Sequence, residues 1–404
     1  MQKTPSRSGF SFGKLLVVFA AICAFAVLLF VNIPQTAVYS KQAHQDSIAR
    51  LATTSVQVSG TTTPVAKSVR PNKVVPVSNV IASASATPMI IVPMTPLDIP
   101  AYNAKMLQIA NLPPLPVATG STTASTTVIR KPGSWPVTSA PYPLPGALLP
   151  GHRIIAYYGN LYSRSMGVLG KYDPPEMFAM LASTTRQWNE ADPTTPAIPA
   201  LDYIAVVAQA SAGSDGKYRA RMPDSEIDKV VALAAQIHGI VILEIQPGLS
   251  SVRTEVPLLE SYLKLPQVHL ALDPEFAMHN GAKPGTVVGT LDASDVNFVA
   301  NYLAKLVKEN NLPPKVLIVH RFTQAMLTNA KKITPLPEVQ VVIDMDGFGS
   351  PSKKIGTYTN IVLPEPVQFT GFKLFYKNDV VAGHLMTPTE VLKLSPRPSF
   401  IQYQ

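Results

Sequence analysis

Two pairs of acidic side chains each follow an apolar run in this sequence. Asp273 and Glu275 stand two residues apart, and so do Asp344 and Asp346. Alternate residues of a β-strand point to the same side, so each pair would lie on one face of a strand. Two carboxyl groups can divide the acid and base roles that glycoside hydrolysis requires. We therefore predict acid/base chemistry, with these four residues as the catalytic candidates.

Glu275 is the expected proton donor of the set. A negative charge on Asp273, two residues away, would raise the pKa of Glu275 and keep it protonated. Asp344 and Asp346 are the candidates for the partner carboxylate, and at least one of them should line one cleft with Asp273 and Glu275. The alternative interpretation is that these carboxylates form structural salt bridges or caps.

Other polar and aromatic residues stand near the ends of further apolar runs. Tyrosines there could stack on sugar rings, with ordinary packing as the alternative. The acids and His320 could also hold a divalent metal, but no H-x-H or H-E-x-x-H spacing supports one, so we expect no metal and no other cofactor. The predicted substrate-binding residues are Tyr157, Tyr158, Gln209, Glu244, Gln246, His320, Lys373, Tyr376 and Gln402.

Eight apolar runs after residue 150 would position these side chains. They alternate with seven helical stretches, a pattern typical of βα units and a parallel sheet. Eight such strands in about 250 residues predict a (β/α)8, TIM-like barrel, a fold whose active sites lie at the carboxyl ends of the strands. An open dinucleotide-binding sheet would need a glycine-rich turn after its first strand, which Tyr157-Tyr-Gly-Asn160 does not provide. The predicted strands are Arg153–Tyr158, Asp202–Gln209, Gly239–Gln246, Val268–Glu275, Lys315–His320, Val339–Asp346, Gly371–Tyr376 and Ser399–Gln404.

Short motifs of this sequence resemble those of barrel-type glycoside hydrolases. Ile154-Ile-Ala-Tyr-Tyr-Gly159 is similar to the first strand of chitinase-type barrels, and Leu272-Asp-Pro-Glu275 resembles the Asp-x-Glu that ends their fourth strand. Phe400-Ile-Gln-Tyr-Gln404 resembles the last strand of muramidase-type barrels. The resemblance implies a glycan-cleaving barrel. The chain departs from it at His269 and Ala271, where chitinases carry acids, and it could belong to a separate bacterial family of membrane-anchored barrels.

The positive charge of the chain is confined to its first part. Residues 1–150 contain eleven Lys or Arg and two Asp or Glu, whereas residues 151–404 contain 23 of each. The whole net charge of +9 therefore belongs to the N-terminal part. A neutral barrel lacks the basic surface of a nucleic-acid-binding domain, so we expect no nucleic-acid partner. The one cysteine, Cys23, excludes an intramolecular disulfide.

An apolar run of seventeen residues, Leu15–Val31, predicts an N-terminal membrane anchor. Lys3, Arg7 and Lys14 precede it, which predicts a cytoplasmic N-terminus; a cleaved signal peptide is the alternative. We predict a cytoplasmic tail at 1–14, a transmembrane anchor at 15–33 and a largely disordered Pro/Ser/Thr-rich linker at 34–133. The barrel domain with its entry segment should span 134–404, and helical spacing at 101–112 indicates a segment that docks on it.

Together these features predict a single-pass cell-membrane protein with a monomeric barrel outside the cytoplasm. The favoured function is hydrolysis of a cell-envelope or extracellular glycan by carboxylate acid/base chemistry. One alternative is a barrel that binds glycan or scaffolds the envelope without catalysis. Another is a metal-dependent hydrolase of esters or amides.

Overall fold

The computed structural model describes residues 94–111, 135 and 140–404. Strands rich in Val, Ile and Leu dominate this part, because a strand covered on both faces must be apolar along most of its length. Its strands are β1 (Arg153–Gly159), β2 (Ala197–Ala208), β3 (Arg219–Arg221), β4 (Ile240–Ile245), β5 (Val268–Leu272), β6 (Leu291–Asp292), β7 (Lys315–Arg321), β8 (Leu327–Thr328), β9 (Val339–Met345), β10 (Phe369–Leu374) and β11 (Phe400–Tyr403).

Eight of these strands form a closed parallel ring. The order around the ring is β1, β2, β4, β5, β7, β9, β10 and β11. The ring closes because β1 pairs in parallel with β2 on one side and with β11 on the other. The predicted eight-stranded α/β barrel is therefore confirmed. The predicted anchor at 15–33 lies outside the described residues.

Helices cover the outside of the ring. Two of them begin with a capping box: Asp292 and Asp295 start the long helix Ala293–Glu309, and Thr387 and Glu390 start the short helix Pro388–Val391. None of the helices in the described ranges has the length and apolar character needed to cross a bilayer. The α-helices are α1 (Ile99–Ala110), α2 (Val168–Lys171), α3 (Pro174–Ala191), α4 (Asp224–Gln236), α5 (Val252–Glu255), α6 (Glu260–Leu263), α7 (Ala293–Glu309), α8 (Pro351–Thr357), α9 (Asn378–Ala382) and α10 (Pro388–Val391).

Three details differ from the sequence-based expectation. The connection between β7 and β9, described throughout, holds 3-10 turns and the short strand β8 but no α-helix. Strand β2 begins at Ala197, five residues before its predicted start at Asp202. Strand β5 ends at Leu272, since Pro274 has no N–H for a strand ladder, and Glu275 lies in the 3-10 turn Pro274–Phe276.

Side chains alternate between two cores along each barrel strand. Those that point outward, such as Leu270 and Leu272, pack against the helices. Those that point inward are apolar at the amino ends of the strands, where Ile240, Phe369 and Phe400 fill the base of the barrel. Near the carboxyl ends the inward side chains become polar.

Helix α1 closes the base of the barrel. Met106 and Ile109 of this helix belong to the same buried cluster as the inward side chains at the base. The carbonyl of Ile109 accepts a hydrogen bond from the Arg397 amide at 2.8 Å, and Asn111 donates to the Leu394 carbonyl at 2.9 Å. The folded unit thus includes residues that precede the predicted domain boundary at 134.

Candidate active site

A buried histidine stands at the centre of the polar end of the barrel. His320 lies near the end of β7 and has no exposed surface. Its Nε2 is 3.1 Å from Glu244 Oε2, and its Nδ1 is 3.0 Å from Asp344 Oδ2. Burial alone would lower the pKa of His320, but Glu244 and Asp344 outweigh it and raise that pKa well above its ordinary value. The imidazole is therefore held as a cation between two carboxylates.

A glycine on the neighbouring strand leaves the space that the Asp344 carboxylate occupies. Gly371 of β10 is paired in register with Asp344 of β9. A Cβ on Gly371 would collide with Asp344 Oδ1. The glycine thus makes room for the carboxylate that orients His320. Burial raises the pKa of Asp344, although its hydrogen bond to His320 opposes this.

A lysine pairs with the carboxylate that follows β9. Lys373 Nζ lies 3.1 Å from Asp346 Oδ1 and 4.1 Å from the centroid of the Tyr158 ring. Burial lowers the pKa of Lys373, but the negative charges of Asp346, Glu244 and Asp273 together outweigh it, so the net shift is upward. Asp346 Oδ2 also lies 3.7 Å from His320 Nδ1. Asp346 is therefore a carboxylate with two cationic neighbours.

Gln246 joins the remaining groups of the mouth. Its Nε2 donates to Tyr158 Oη at 3.2 Å and to Asp273 Oδ2 at 3.3 Å, and it lies 3.4 Å from Glu244 Oε1. Burial, followed by the charges of Glu244 and Glu275, raises the pKa of Asp273 well above its ordinary value. The carboxyl group of Asp273 is thus turned inward and favours its protonated form.

Glu275 lies at the edge of this cluster. It is partly exposed, and its backbone N–H donates to Asp273 Oδ1 at 3.0 Å. Burial and then the charge of Asp346 raise the pKa of Glu275 to about 8. This differs from the predicted cause, the charge of Asp273. This raised pKa favours the carboxylic acid form of Glu275 at neutral pH.

The structure brings most of the predicted site residues into one cluster. All of them except Glu275 are at most 8 % exposed, so the side chains pack against one another. A predicted open cleft is thus replaced by a closely packed polar core that reaches solvent at Glu275. The predicted residues in the cluster are Tyr158, Glu244, Gln246, Asp273, Glu275, His320, Asp344, Asp346, Lys373 and Gln402.

Three predicted substrate-binding residues lie outside this cluster. Tyr157 and Tyr158 are adjacent in β1, so they point to opposite faces of the strand. Tyr157 points outward, where its hydroxyl bonds Thr184 at 2.9 Å and Tyr376 at 3.1 Å. Tyr376 belongs to the same outer layer. Gln209 begins the turn toward β3, where its backbone amide donates to the Tyr218 carbonyl.

Asp202 is a member of the cluster that the sequence did not reveal. It is fully buried in the middle of β2, and Gln402 Nε2 donates to its Oδ2 at 2.6 Å. Burial, followed by the charge of Glu244, raises the pKa of Asp202 well above its ordinary value. The available signal was the apolar run Ala197–Leu201 before it, which extends the strand and places Asp202 inside it.

No protein-family model matches this sequence, and no curated protein matches it. Solved structures do show similarity. A cellulase, Cel5C_n, is 11% identical, with a TM-score of 0.38 over 63% of this chain and 75% of its own. Cel5A of Thermotoga maritima is 13% identical, with a TM-score of 0.38 over 63% of this chain and 89% of its own. A ruminal GH26 endo-β-1,4-mannanase is 11% identical, with a TM-score of 0.32 over 63% of this chain and 59% of its own.

The likeness to these structures concerns the fold. The assignment of the barrel itself rests on the parallel pairing of its eight strands. The chain is thus an eight-stranded parallel α/β barrel, and the solved structures named above to which it is similar are glycoside hydrolases.

Proposed function

We propose that this barrel hydrolyses glycosidic bonds, with Glu275 as the proton donor and Asp346 as the partner carboxylate. The observation that carries the proposal is the contrast between these two groups. Burial and a neighbouring negative charge raise the pKa of Glu275 to about 8. Asp346 is instead paired with the charged Lys373 at 3.1 Å. Glycoside hydrolysis needs such a pair, one carboxyl group protonated and one ionised.

The chemistry follows from these protonation states. Glu275 gives its proton to the glycosidic oxygen while the bond from that oxygen to the anomeric carbon breaks. In one route Asp346 attacks the anomeric carbon, and water then breaks the resulting glycosyl–Asp346 bond while the Glu275 carboxylate takes a proton from that water. In the other route Asp346 removes a proton from water that attacks the anomeric carbon directly. In both routes the elements of water are added across the bond.

Exposure favours Asp346 over Asp344 as the partner. Asp344 has no exposed surface and is engaged with His320, whereas Asp346 is 8 % exposed and follows the end of β9. A sugar that reaches Glu275 from solvent would contact Asp346 before it could contact Asp344. Asp344 and Asp273 then act as positioning residues within the cluster.

The proposal is tested by release of new reducing ends from peptidoglycan and from chitin. The full-length protein should cleave at least one of them, and Glu275→Gln should lower turnover at least about 100-fold, because it removes the acid but keeps shape. Glu309→Gln is the matched control, since Glu309 is 55 % exposed on α7. If both variants cleave at the wild-type rate, Glu275 is not the acid.

We also propose that the barrel lies outside the cytoplasm, attached through residues 15–33, and acts on a glycan of the cell envelope. The support is the apolar run with Lys3, Arg7 and Lys14 before it. Protease added to cells with a permeable outer layer should release a fragment of barrel size. Full protection under those conditions would contradict this orientation.

A second candidate function is glycan binding without catalysis. It is favoured by the burial of the cluster, in which nine of the ten predicted residues are at most 8 % exposed. A binding protein would retain chitin or peptidoglycan equally well in the wild type and in Glu275→Gln. Neither protein would then release reducing ends.

A further inference from the structure

We propose that Asp202, Glu244 and His320 form a binding site for a divalent transition-metal ion. The site is distinct from the Glu275–Asp346 pair. Its three residues lie within strands β2, β4 and β7, whereas Glu275 and Asp346 follow the ends of their strands. The inference therefore does not depend on the proposed glycoside hydrolysis.

The first support is the distance between the possible ligand atoms. One carboxylate oxygen from each acid and one ring nitrogen of His320 all lie within 4.8 Å of one another. His320 Nε2 and Glu244 Oε2 are 3.1 Å apart. Two ligands about 2.1 Å from a tetrahedral ion lie about 3.4 Å apart, so this separation needs little change. Asp202 must approach the other two by a small movement of its side chain.

The second support is the way in which His320 is oriented. Its Nδ1 faces Asp344 Oδ2 at 3.0 Å, so an Nδ1–H would donate to this carboxylate. A carboxylate on one ring nitrogen fixes the tautomer and leaves the lone pair on the other for a metal. That other nitrogen, Nε2, is the one that faces Glu244. Gly371 contributes indirectly, because its missing Cβ makes room for Asp344.

The third support is a buried oxygen atom without a partner. Asp202 Oδ2 accepts a hydrogen bond from Gln402, but Asp202 Oδ1 is fully buried and accepts none from the described residues. Gln402 Oε1, in the amide that contacts Asp202, has no partner there either. Both atoms are acceptors, and buried acceptors without partners are costly. A cation between Asp202, Glu244 and His320 would satisfy Asp202.

The charge balance of the cluster points in the same direction. Within the described part of the chain, the cluster contains six carboxyl groups and two cationic side chains, His320 and Lys373. Lys354, the next buried lysine, is engaged by its own partner Asp379 at 2.9 Å. A divalent ion would place further positive charge among these carboxyl groups. The acidic members are Asp202, Glu244, Asp273, Glu275, Asp344 and Asp346.

The ligand types indicate which ion would bind. Two carboxylates and an imidazole suit Zn²⁺ or Mn²⁺, whereas Ca²⁺ and Mg²⁺ prefer sites built from oxygen alone. An imidazole that binds a metal must be neutral, so Nε2 carries no proton when the ion is bound. The proposed site therefore selects transition metals over the alkaline-earth ions.

The test is metal binding by the full-length protein. The protein is treated with a chelator, dialysed against Zn²⁺, Mn²⁺ or Ca²⁺ in turn, and its bound metal is measured by elemental analysis. We expect one Zn²⁺ or Mn²⁺ per chain, little Ca²⁺, and a rise in melting temperature on loading, because a ligand that binds only the folded state stabilises it. Wild-type protein that retains no stoichiometric Zn²⁺ or Mn²⁺ would overturn the proposal without any variant.

Variants then locate the ion. Asp202→Asn and Glu244→Gln should lose the bound metal, and Asp344→Asn should weaken binding by about 10-fold to 100-fold. Asp273→Asn is the matched control, since it alters a buried carboxyl of the same mouth outside the three ligands. Equal metal retention by Asp202→Asn and Asp273→Asn would contradict the assignment. A wild type that binds one ion but cleaves no glycan would reject the proposed function and leave the metal site standing.

Discussion

The two ends of the barrel interior are built from the same strands but differ in chemistry. At the base, Ile240, Phe369 and Phe400 pack against helix α1 in a dry apolar core. At the mouth, His320 and Lys373 stand among six carboxyl groups. Burial of apolar side chains stabilises the fold, whereas burial of charge costs free energy unless each charge is paired. The base therefore supports the fold, and the polar mouth is where we propose that the chemistry takes place.

The largest loss of stability should come from a substitution in the apolar core at the base. Phe369→Ala is expected to lower the free energy of unfolding by about 3–5 kcal/mol, because it leaves a cavity in the base core. The measurement is denaturant unfolding. Val381→Ala is the control, since Val381 is 83 % exposed and its loss should change little. Equal stability of the two variants would mean that the base is not the stabilising end.

A somewhat smaller loss of stability should follow from removing a side chain by which helix α1 packs on the base. Ile109 is 2 % exposed against the base, whereas Leu107 of the same helix is 56 % exposed. Ile109→Ala should lower the free energy of unfolding by about 2–3 kcal/mol, and Leu107→Ala should leave it nearly unchanged. If thermal melting finds the two variants alike, α1 is not part of the folded unit.

The mouth should give a smaller change in stability for each pH unit than either base variant gives at one pH. The pKa of Glu275 is raised from 4.5 to about 8 in the folded state, so its stabilising contribution is fully present below 4.5 and is lost as the pH rises toward 8. The expected slope is at most about 1.4 kcal/mol per pH unit. Glu275→Gln should flatten the loss of stability between pH 5 and pH 8. An unchanged slope in this variant would show that Glu275 titrates normally.

The barrel could be predicted from the sequence because each strand is marked by a local apolar run, and such runs recur along the chain. Runs such as Lys315–Arg321 and Val339–Met345 combine β-branched residues with buried inward positions, and their ends were found within one residue. Glu244 and Gln246 stand two residues apart, so the alternation of side chains along a strand predicted that they share a face, and both lie in the interior. The alternation did not show which of the adjacent Tyr157 and Tyr158 points inward, because the strand around them is apolar on both faces.

The remaining parts of the site depend on contacts between distant strands. Asp202 meets Gln402 across a separation of 200 residues, and no spacing in the sequence marks that pair. The same holds for His320 and Glu244, which are 76 residues apart. A metal site built in this way has no sequence motif, which is why spacing alone favoured a metal-free site.

The role of Glu275 as the acid is tested most directly by the pH dependence of kcat/KM for glycan cleavage by the wild type and Glu275→Gln. We expect wild-type kcat/KM to fall as the pH rises through about 8, because Glu275 loses the proton that it must donate. The residual activity of Glu275→Gln should lack this alkaline limb. A wild-type decline near pH 8 that persists unchanged in Glu275→Gln would contradict the assignment of Glu275 as the acid.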